Sequence, residues 1–157
     1  MTTTVDILNA RILVVDDMRP MVVLLQRILR SAGYVDISTT TDPDIVCELH
    51  RQYRYDLILL DLEMPVMDGL QVLQALQREE TALPAVIVIS AHPDKKIQVF
   101  QAGAKDYISK PFELSEVLAR VQNTLQAQLL QAETQNKISV LEQQLNEINS
   151  QSTEPRT

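Results

Sequence analysis

The sequence is poor in cysteine and has no long apolar run. Cys47 is the single cysteine among 157 residues, so no disulfide can form within the chain, which is typical of a reducing compartment. The first four residues carry neither the basic segment nor the apolar segment of a secretory signal. No apolar run approaches the ~20 residues that a membrane helix needs. We therefore expect a cytoplasmic protein that does not enter a membrane.

Clusters of basic residues are also lacking. The chain has 14 lysines and arginines against 21 aspartates and glutamates, which gives a net charge of −7 and a pI near 4.8. Because binding to nucleic acid needs clustered basic residues that neutralise phosphates, we expect no direct contact with nucleic acid. The hydrophobic content of 45% is ordinary for one globular domain with an appendage, and such a domain can bury a core without disulfides.

Short apolar segments alternate with segments of helical periodicity along the chain. Five strands are predicted, at residues 12–15, 35–38, 57–60, 85–89 and 106–108. Helices are predicted to begin near Pro20, Pro43, Gly69, Asp94 and Glu113. Because parallel neighbouring strands need crossover connections, this alternation indicates a parallel sheet. Nearly continuous apolar strands indicate helices on both faces, so the predicted fold is α/β, a doubly wound five-stranded parallel sheet.

Polar side chains stand at the carboxyl ends of these strands. Asp16 and Asp17 follow the first strand, and Asp61 ends the third. Ser90 ends the fourth strand, and Lys110 follows the fifth. Because ligands of such sheets bind beyond the carboxyl ends of the strands, we expect these five side chains to meet at one site.

The charges at this edge need a cation. Two unit charges ~4 Å apart repel by about 4 kcal/mol at an effective dielectric near 20, and three carboxylates converge here. Mg²⁺ (or Mn²⁺) suits oxygen ligands of this kind together with a phosphate. Lys110 supplies a second positive charge as a mobile donor. The Ser90 hydroxyl can donate to an oxygen that becomes negative.

Several motifs occur in order along the sequence. They are Val14–Asp17 (VVDD), Leu60–Gly69 (LDLEMPVMDG), Ile89–Ala91 (ISA), Gly103-Ala104 and Tyr107–Phe112 (YISKPF). In this combination the sequence resembles the bacterial response-regulator receiver family, which has the flavodoxin-like fold of the chemotaxis regulator. The resemblance covers residues 10 to 127.

The resemblance implies a phosphorylation site. Asp61 is then the phosphoacceptor and takes its phosphoryl group from a sensor histidine kinase or a histidine phosphotransfer protein. Asp16, Asp17, Asp61 and the backbone carbonyl of Glu63 are the implied Mg²⁺ ligands, although Asp16 could instead be a capping residue. Lys110 is expected to pair with the Asp61 carboxylate before transfer and with a phosphoryl oxygen afterwards.

The resemblance also implies a switch. Ser90 is expected to move toward the phosphoryl oxygens, and Tyr107 to turn inward with it, unless Tyr107 is only a half-buried aromatic residue. Glu63 and His92 lie two positions after Asp61 and Ser90. They are expected to tune the lifetime of the phosphoryl group, or else to be plain surface residues. A cis peptide bond before Pro111 stays open.

The C-terminal segment has the spacing of a coiled coil. Leu118, Val121 and Leu125 follow a 3-4 spacing, and a second block comprises Ile138, Leu141, Leu145 and Ile148. The blocks are out of heptad phase, since Leu125 and Ile138 are thirteen positions apart. We predict a parallel homodimeric stalk that is interrupted in its middle; a solvated single helix is the alternative. The predicted domains are an arm (1–9), the receiver (10–127), a helical stalk (128–150) and a disordered end (151–157).

Rival functions are less consistent with the sequence. A phosphorylation-independent interaction module, or a scaffold with a vestigial receiver, would be expected to lose a site residue, and all are present. A hydrolase of the haloacid dehalogenase type needs an aspartate two positions after its nucleophile, where Glu63 stands. We therefore expect a regulator that acts through an output domain or partner. It is not expected to be a turnover enzyme, because its only chemistry would be its own phosphorylation and dephosphorylation.

Overall fold

A computed structural model describes residues 7–79 and 83–152 of the chain. The strands are β1 (Arg11–Val15), β2 (Asp36–Thr40), β3 (Leu57–Asp61), β4 (Ala85–Ser90) and β5 (Asp106–Ser109). The helices are α1 (Arg19–Ser31), α2 (Val46–Tyr53), α3 (Gly69–Arg78), α4 (Lys96–Gln101) and α5 (Leu114–Ser152). Single 3₁₀ turns, Pro43–Ile45 and Pro93–Lys95, precede α2 and α4.

The five strands form one parallel sheet in the order β2-β1-β3-β4-β5. The chain passes from β1 to the edge at β2 and then continues on the other side of β1 with β3. The strand order therefore reverses between β1 and β3, which pair with Val15 opposite Leu60. This topology confirms the predicted doubly wound sheet, and it places the reversal where such folds bind ligands.

The sheet is covered on both faces, and successive strand residues point to opposite cores. On one face Val14 and Leu59 pack with Val117 and Leu125 of α5 and with residues of α1. On the other face Leu60 and its neighbours pack with residues of α2, α3 and α4. Full burial of each such leucine contributes about 2 kcal/mol. The continuous apolar strands of the sequence follow from this double coverage.

The observed β2 lies further along the chain than the predicted strand at 35–38. It begins at Asp36, which pairs with Arg11, and ends at Thr40, which pairs with Val15. Val35 is 72% exposed and precedes the strand. Because β2 is an edge strand, its threonines need no apolar cover, and apolar content alone therefore misplaces the strand.

Helix α5 is continuous over 39 residues. Val117, Val121 and Leu125 are fully buried against the sheet, whereas every side chain from Thr134 to Ser150 is exposed. The helix includes the first two residues of the predicted disordered end, and residues 153–157 of that end lie outside the described residues, as do residues 1–6 of the arm. Within the described residues, no helix combines the length and apolarity needed to cross a bilayer.

Candidate functional site

Three carboxylates meet where the strand order reverses. Asp61 is the last residue of β3, and Asp16 and Asp17 follow the neighbouring β1. Each of the three offers an oxygen that lies within 4.8 Å of the others. Asp16 and Asp61 are only 2% and 3% exposed, respectively. The parallel register of β1 and β3 thus brings Asp61 to the adjacent Asp16 and Asp17, which it follows by 45 and 44 positions in the sequence.

Lys110 directly follows the edge strand β5 and reaches Asp61 from there. Its Nζ donates to the Asp61 Oδ1 at 2.9 Å, and its backbone N–H donates to the Ser90 carbonyl at 2.8 Å. The bond between Lys110 and Pro111 is cis, which answers the question that the sequence left open. Burial alone would lower the pKa of the Lys110 ammonium, but its hydrogen bond to Asp61 and the charges of Asp61 and Asp16 outweigh burial and raise that pKa.

The buried carboxylates carry more negative charge than Lys110 offsets. Burial raises the pKa of the Asp61 carboxyl from 3.8 to about 6; the hydrogen bond from Lys110 opposes this rise, and the charge of Asp16 adds to it. Burial likewise raises the pKa of Asp16, although the Met18 N–H donates to its Oδ1 at 2.9 Å. Asp16 therefore accepts a local backbone hydrogen bond just before α1, but it does not cap that helix, which begins after Met18 without a side-chain cap.

The donor set fits a hard divalent cation. Three carboxylate oxygens from neighbouring strands, two of them on buried groups with raised pKa values, are ligands that Mg²⁺ and Mn²⁺ prefer. A cation bound there would lower the cost of ionising Asp16 and Asp61. The residues present therefore fit the expected metal.

Ser90, Glu63 and His92 form a second group beside the aspartates. The fully buried Ser90 hydroxyl donates to the Glu63 Oε1 and accepts from the His92 N–H at 2.9 Å. The Ala91 N–H also donates to the Glu63 Oε1, at 3.1 Å. The His92 Nε2 lies 3.8 Å from the same oxygen. The two residues predicted as a pair, Glu63 and His92, are thus neighbours, joined through Ser90.

The charge on Glu63 is stabilised in this group. Its partial burial would raise the pKa of the carboxyl, but hydrogen bonds from Ser90 and from backbone N–H groups, with the charge of Lys110, lower that pKa overall. Glu63 is therefore held as a carboxylate next to the hydroxyl that the sequence predicts to be the switch residue.

Tyr107 lies on β5 with its ring inside the protein. Its side chain is 3% exposed, and its hydroxyl donates to the His92 carbonyl at 2.9 Å. The Lys96 Nζ lies 5.7 Å from the centroid of the ring. Tyr107 is thus fully buried rather than half-buried, and it is tied to the segment that follows Ser90.

One residue behind Asp61 was assigned only a helix-starting role from the sequence. Gly69 opens α3 so close to β3 that a Cβ there would lie 2.5 Å from the Asp61 carbonyl oxygen and 2.8 Å from the Leu62 Cα. Its N–H donates to the Leu62 carbonyl at 2.9 Å, and Asp68 caps the helix reciprocally with Gln71. The Asp68-Gly69 pair signals a turn, but the close approach to Asp61 is a tertiary feature.

Comparisons with known proteins agree with this geometry. A family model described as the response regulator receiver domain matches residues 12–122. The chain is 40% identical over 119 residues to the transcriptional regulatory protein PrrA of Mycobacterium leprae, which covers 74% of this chain and 50% of that protein. It is 36% identical over 120 residues to the alkaline phosphatase synthesis transcriptional regulatory protein PhoP of Bacillus subtilis, covering 75% of this chain and 49% of that protein.

The fold is also similar to solved structures. The chemotaxis protein CheY4 of Vibrio cholerae matches with a TM-score of 0.67 and 26% sequence identity, covering 74% of this chain and 98% of that one. The chain spans about half the length of the two transcriptional regulators. Because the family model covers more than half of the sequence, this chain belongs to the response regulator receiver domain family.

Proposed function

We propose that Asp61 accepts a phosphoryl group from the phosphohistidine of a sensor histidine kinase or a histidine phosphotransfer protein, and that this event switches the domain. The observation that carries the proposal is the placement of one buried aspartate, Asp61, between Lys110 at 2.9 Å and the carboxylates of Asp16 and Asp17. A structural aspartate at a strand end needs neither an ammonium partner nor a cluster of further acids.

The proposed step is a transfer between a nitrogen and an oxygen. A carboxylate oxygen of Asp61 attacks the phosphorus, and the bond from phosphorus to the imidazole nitrogen breaks. The electron pair of that bond returns to the ring nitrogen, and because the other ring nitrogen carries a proton, the leaving group is a neutral imidazole. Lys110 then exchanges its hydrogen bond to the Asp61 Oδ1 for one to a phosphoryl oxygen. Asp16, Asp17, Asp61 and the backbone carbonyl of Glu63 would hold a divalent cation, which when bound would supply positive charge to the phosphoryl oxygens.

The switch is proposed to involve Ser90 and Tyr107. The Ser90 hydroxyl lies at the end of β4, beside the β3 end that carries Asp61, and is proposed to exchange its hydrogen bond to Glu63 for one to a phosphoryl oxygen. The Tyr107 hydroxyl donates a hydrogen bond to the carbonyl of His92, two residues after Ser90. Movement of residues 90–92 would therefore change the environment of the Tyr107 ring. Glu63 and His92 are proposed to set the lifetime of phospho-Asp61 through their position beside Ser90.

A parallel homodimeric stalk is proposed as the route to the output. The apolar side chains of the distal part of α5 that are between 42% and 63% exposed include Leu130, Ile138, Leu141, Leu145 and Ile148. A helix turns by about 100° per residue. The centre of the block formed by Ile138, Leu141, Leu145 and Ile148 therefore lies about 140° around α5 from the face, centred on Val121, that packs on the sheet. The chain's own domain therefore does not cover this stripe, and a second copy of the helix would bury it in a coiled-coil seam.

The proposal is tested by phosphorylation with a small-molecule donor. Wild-type protein incubated with Mg²⁺ and acetyl phosphate should gain the mass of one phosphoryl group, and the Asp61→Asn variant should gain none. Light scattering on the same samples should report a change of oligomeric state in the wild type only. Equal modification of both proteins, or of neither, would contradict the assignment of Asp61. Modification without any change in oligomeric state would overturn the phosphorylation-dependent stalk alone.

A further inference from the structure

We propose that the Glu63 carboxylate competes with the phosphoryl group on Asp61 for the Ser90 hydroxyl and thereby stabilises the unphosphorylated state. This inference rests on the proposed function of Asp61. It assigns to Glu63 a positioning role that is separate from any effect on hydrolysis, because it concerns the equilibrium between two orientations of Ser90.

The competition follows from the hydrogen-bonding capacity of Ser90. A serine hydroxyl has a single proton to donate, and here that proton goes to the Glu63 Oε1. The Ser90 oxygen accepts at the same time from the His92 N–H at 2.9 Å, and the side chain is fully buried. Ser90 therefore cannot donate to a phosphoryl oxygen until its bond to Glu63 breaks.

The position of Glu63 makes this bond durable. The Glu63 Oε1 also accepts from the Ala91 N–H at 3.1 Å, so the carboxylate is fixed against the segment that carries Ser90. The same segment, residues 90–92, also accepts a hydrogen bond at the His92 carbonyl from the Tyr107 hydroxyl. The Glu63 Oε2 is buried and has no hydrogen-bond partner within the part of the chain that the structure describes. The hydrogen bonds that stabilise the Glu63 carboxylate thus converge on its Oε1, and releasing Ser90 removes one of them.

The strength of the contact sets the expected effect. A hydrogen bond to a charged group contributes enough to shift an equilibrium by about tenfold or more. Removing the Glu63 side chain should therefore increase the affinity for a phosphoryl mimic by about tenfold, since Ser90 no longer has to leave a competing acceptor. The backbone carbonyl of Glu63, the implied metal ligand, is kept in such a variant.

A double-mutant cycle separates competition from charge repulsion. We would measure the binding of beryllofluoride in the presence of Mg²⁺ by ¹⁹F NMR for wild type, Glu63→Ala, Ser90→Ala and the double variant. If Glu63 acts only by repelling an anion, its removal raises affinity equally whether or not Ser90 is present. If it competes for the Ser90 hydroxyl, its removal raises affinity only when Ser90 is present. Glu48→Ala, which removes an exposed carboxylate on α2, is the control and should bind as wild type does.

The outcomes are distinct. A gain of about tenfold for Glu63→Ala that disappears in the Ser90→Ala background supports the inference. If Glu63→Ala raises the affinity for beryllofluoride equally in the wild-type and Ser90→Ala backgrounds, or does not raise it in the wild-type background, the inference is overturned and Asp61 remains the acceptor. If wild type and Asp61→Asn bind beryllofluoride equally, or wild type binds none, the proposed function fails first and the inference fails with it.

Discussion

Asp61→Asn should make the protein more stable at neutral pH, even though it removes an ion pair. The substitution keeps the shape of the side chain and an oxygen that can accept the Lys110 hydrogen bond, but it removes a charge that is 3% exposed. The pKa of Asp61 rises from 3.8 to about 6 on folding, mainly because of burial. Since one pKa unit corresponds to about 1.4 kcal/mol, ionised Asp61 costs the fold about 3 kcal/mol.

The cost depends on pH in a defined direction. The folded state holds the Asp61 proton more tightly than the unfolded chain, so this contribution to stability falls as the pH rises from 3.8 to about 6. Above that window Asp61 is ionised in both states and the full cost is present. Below it Asp61 is protonated in both states, and the advantage of Asp61→Asn should vanish.

Urea unfolding followed by circular dichroism checks this prediction. The free energies of unfolding of wild type and Asp61→Asn are compared at about pH 8 and at about pH 4, with EDTA present to remove divalent cations. The variant should be more stable by up to about 3 kcal/mol at the higher pH, and by less than about 1 kcal/mol at about pH 4, near the lower end of the window. Glu142→Gln, which neutralises an exposed residue of distal α5, should show no such gap. A lower stability of Asp61→Asn than of wild type at the higher pH would refute the reasoning. A difference in the free energy of unfolding between the two proteins that did not change with pH would refute it as well.

Three further predictions follow from the site and the stalk. At a Mg²⁺ concentration one hundred times its Kd for the wild type, the free energy of unfolding of the wild type should rise by about 2.7 kcal/mol. Asp17→Asn should show a much smaller rise at the same Mg²⁺ concentration. Equal rises for the two proteins would contradict the metal site. Gly69→Ala should lower the free energy of unfolding by about 1–3 kcal/mol, because the added Cβ would lie 2.5 Å from the Asp61 carbonyl oxygen. An unchanged free energy of unfolding, measured by denaturation in urea, would contradict this packing. The double variant Leu141→Asn/Leu145→Asn should be a monomer by analytical ultracentrifugation after treatment with acetyl phosphate, which should still modify Asp61. The same mass distribution as that of wild type treated in the same way would contradict the proposed coiled-coil seam.

Most of the fold and the strand-end residues could be predicted from the sequence because they depend on local patterns. Apolar runs that end in an aspartate, as at Asp61, define both a buried strand and the residue at its carboxyl end. Parallel topology then brings such ends together without any knowledge of side-chain contacts. The pattern fails at β2, where polar Thr39 and Thr40 belong to an edge strand that needs no apolar cover.

The features that sequence did not predict depend on tertiary contacts. The hydrogen bond between Glu63 and Ser90 depends on the path of the loop between β3 and α3, which is fixed by the close approach of Gly69 to the Asp61 carbonyl. By contrast, the continuity of α5 agrees with the C-terminal helical extension that the sequence predicts. Glutamine-rich residues suit a helix but not a hydrophobic seam, so the phase break interrupts the predicted pairing and not the helix itself.

The chemical location of the phosphoryl group tests the central claim most directly. Borohydride reduces an aspartyl phosphate to homoserine, so the modified position can be read from peptides by tandem mass spectrometry. After incubation with Mg²⁺ and acetyl phosphate, homoserine should be found at position 61 and at no other aspartate. Homoserine at Asp16, Asp17 or another carboxylate, or its absence from a fully folded protein, would contradict the assignment of Asp61 as the phosphoacceptor.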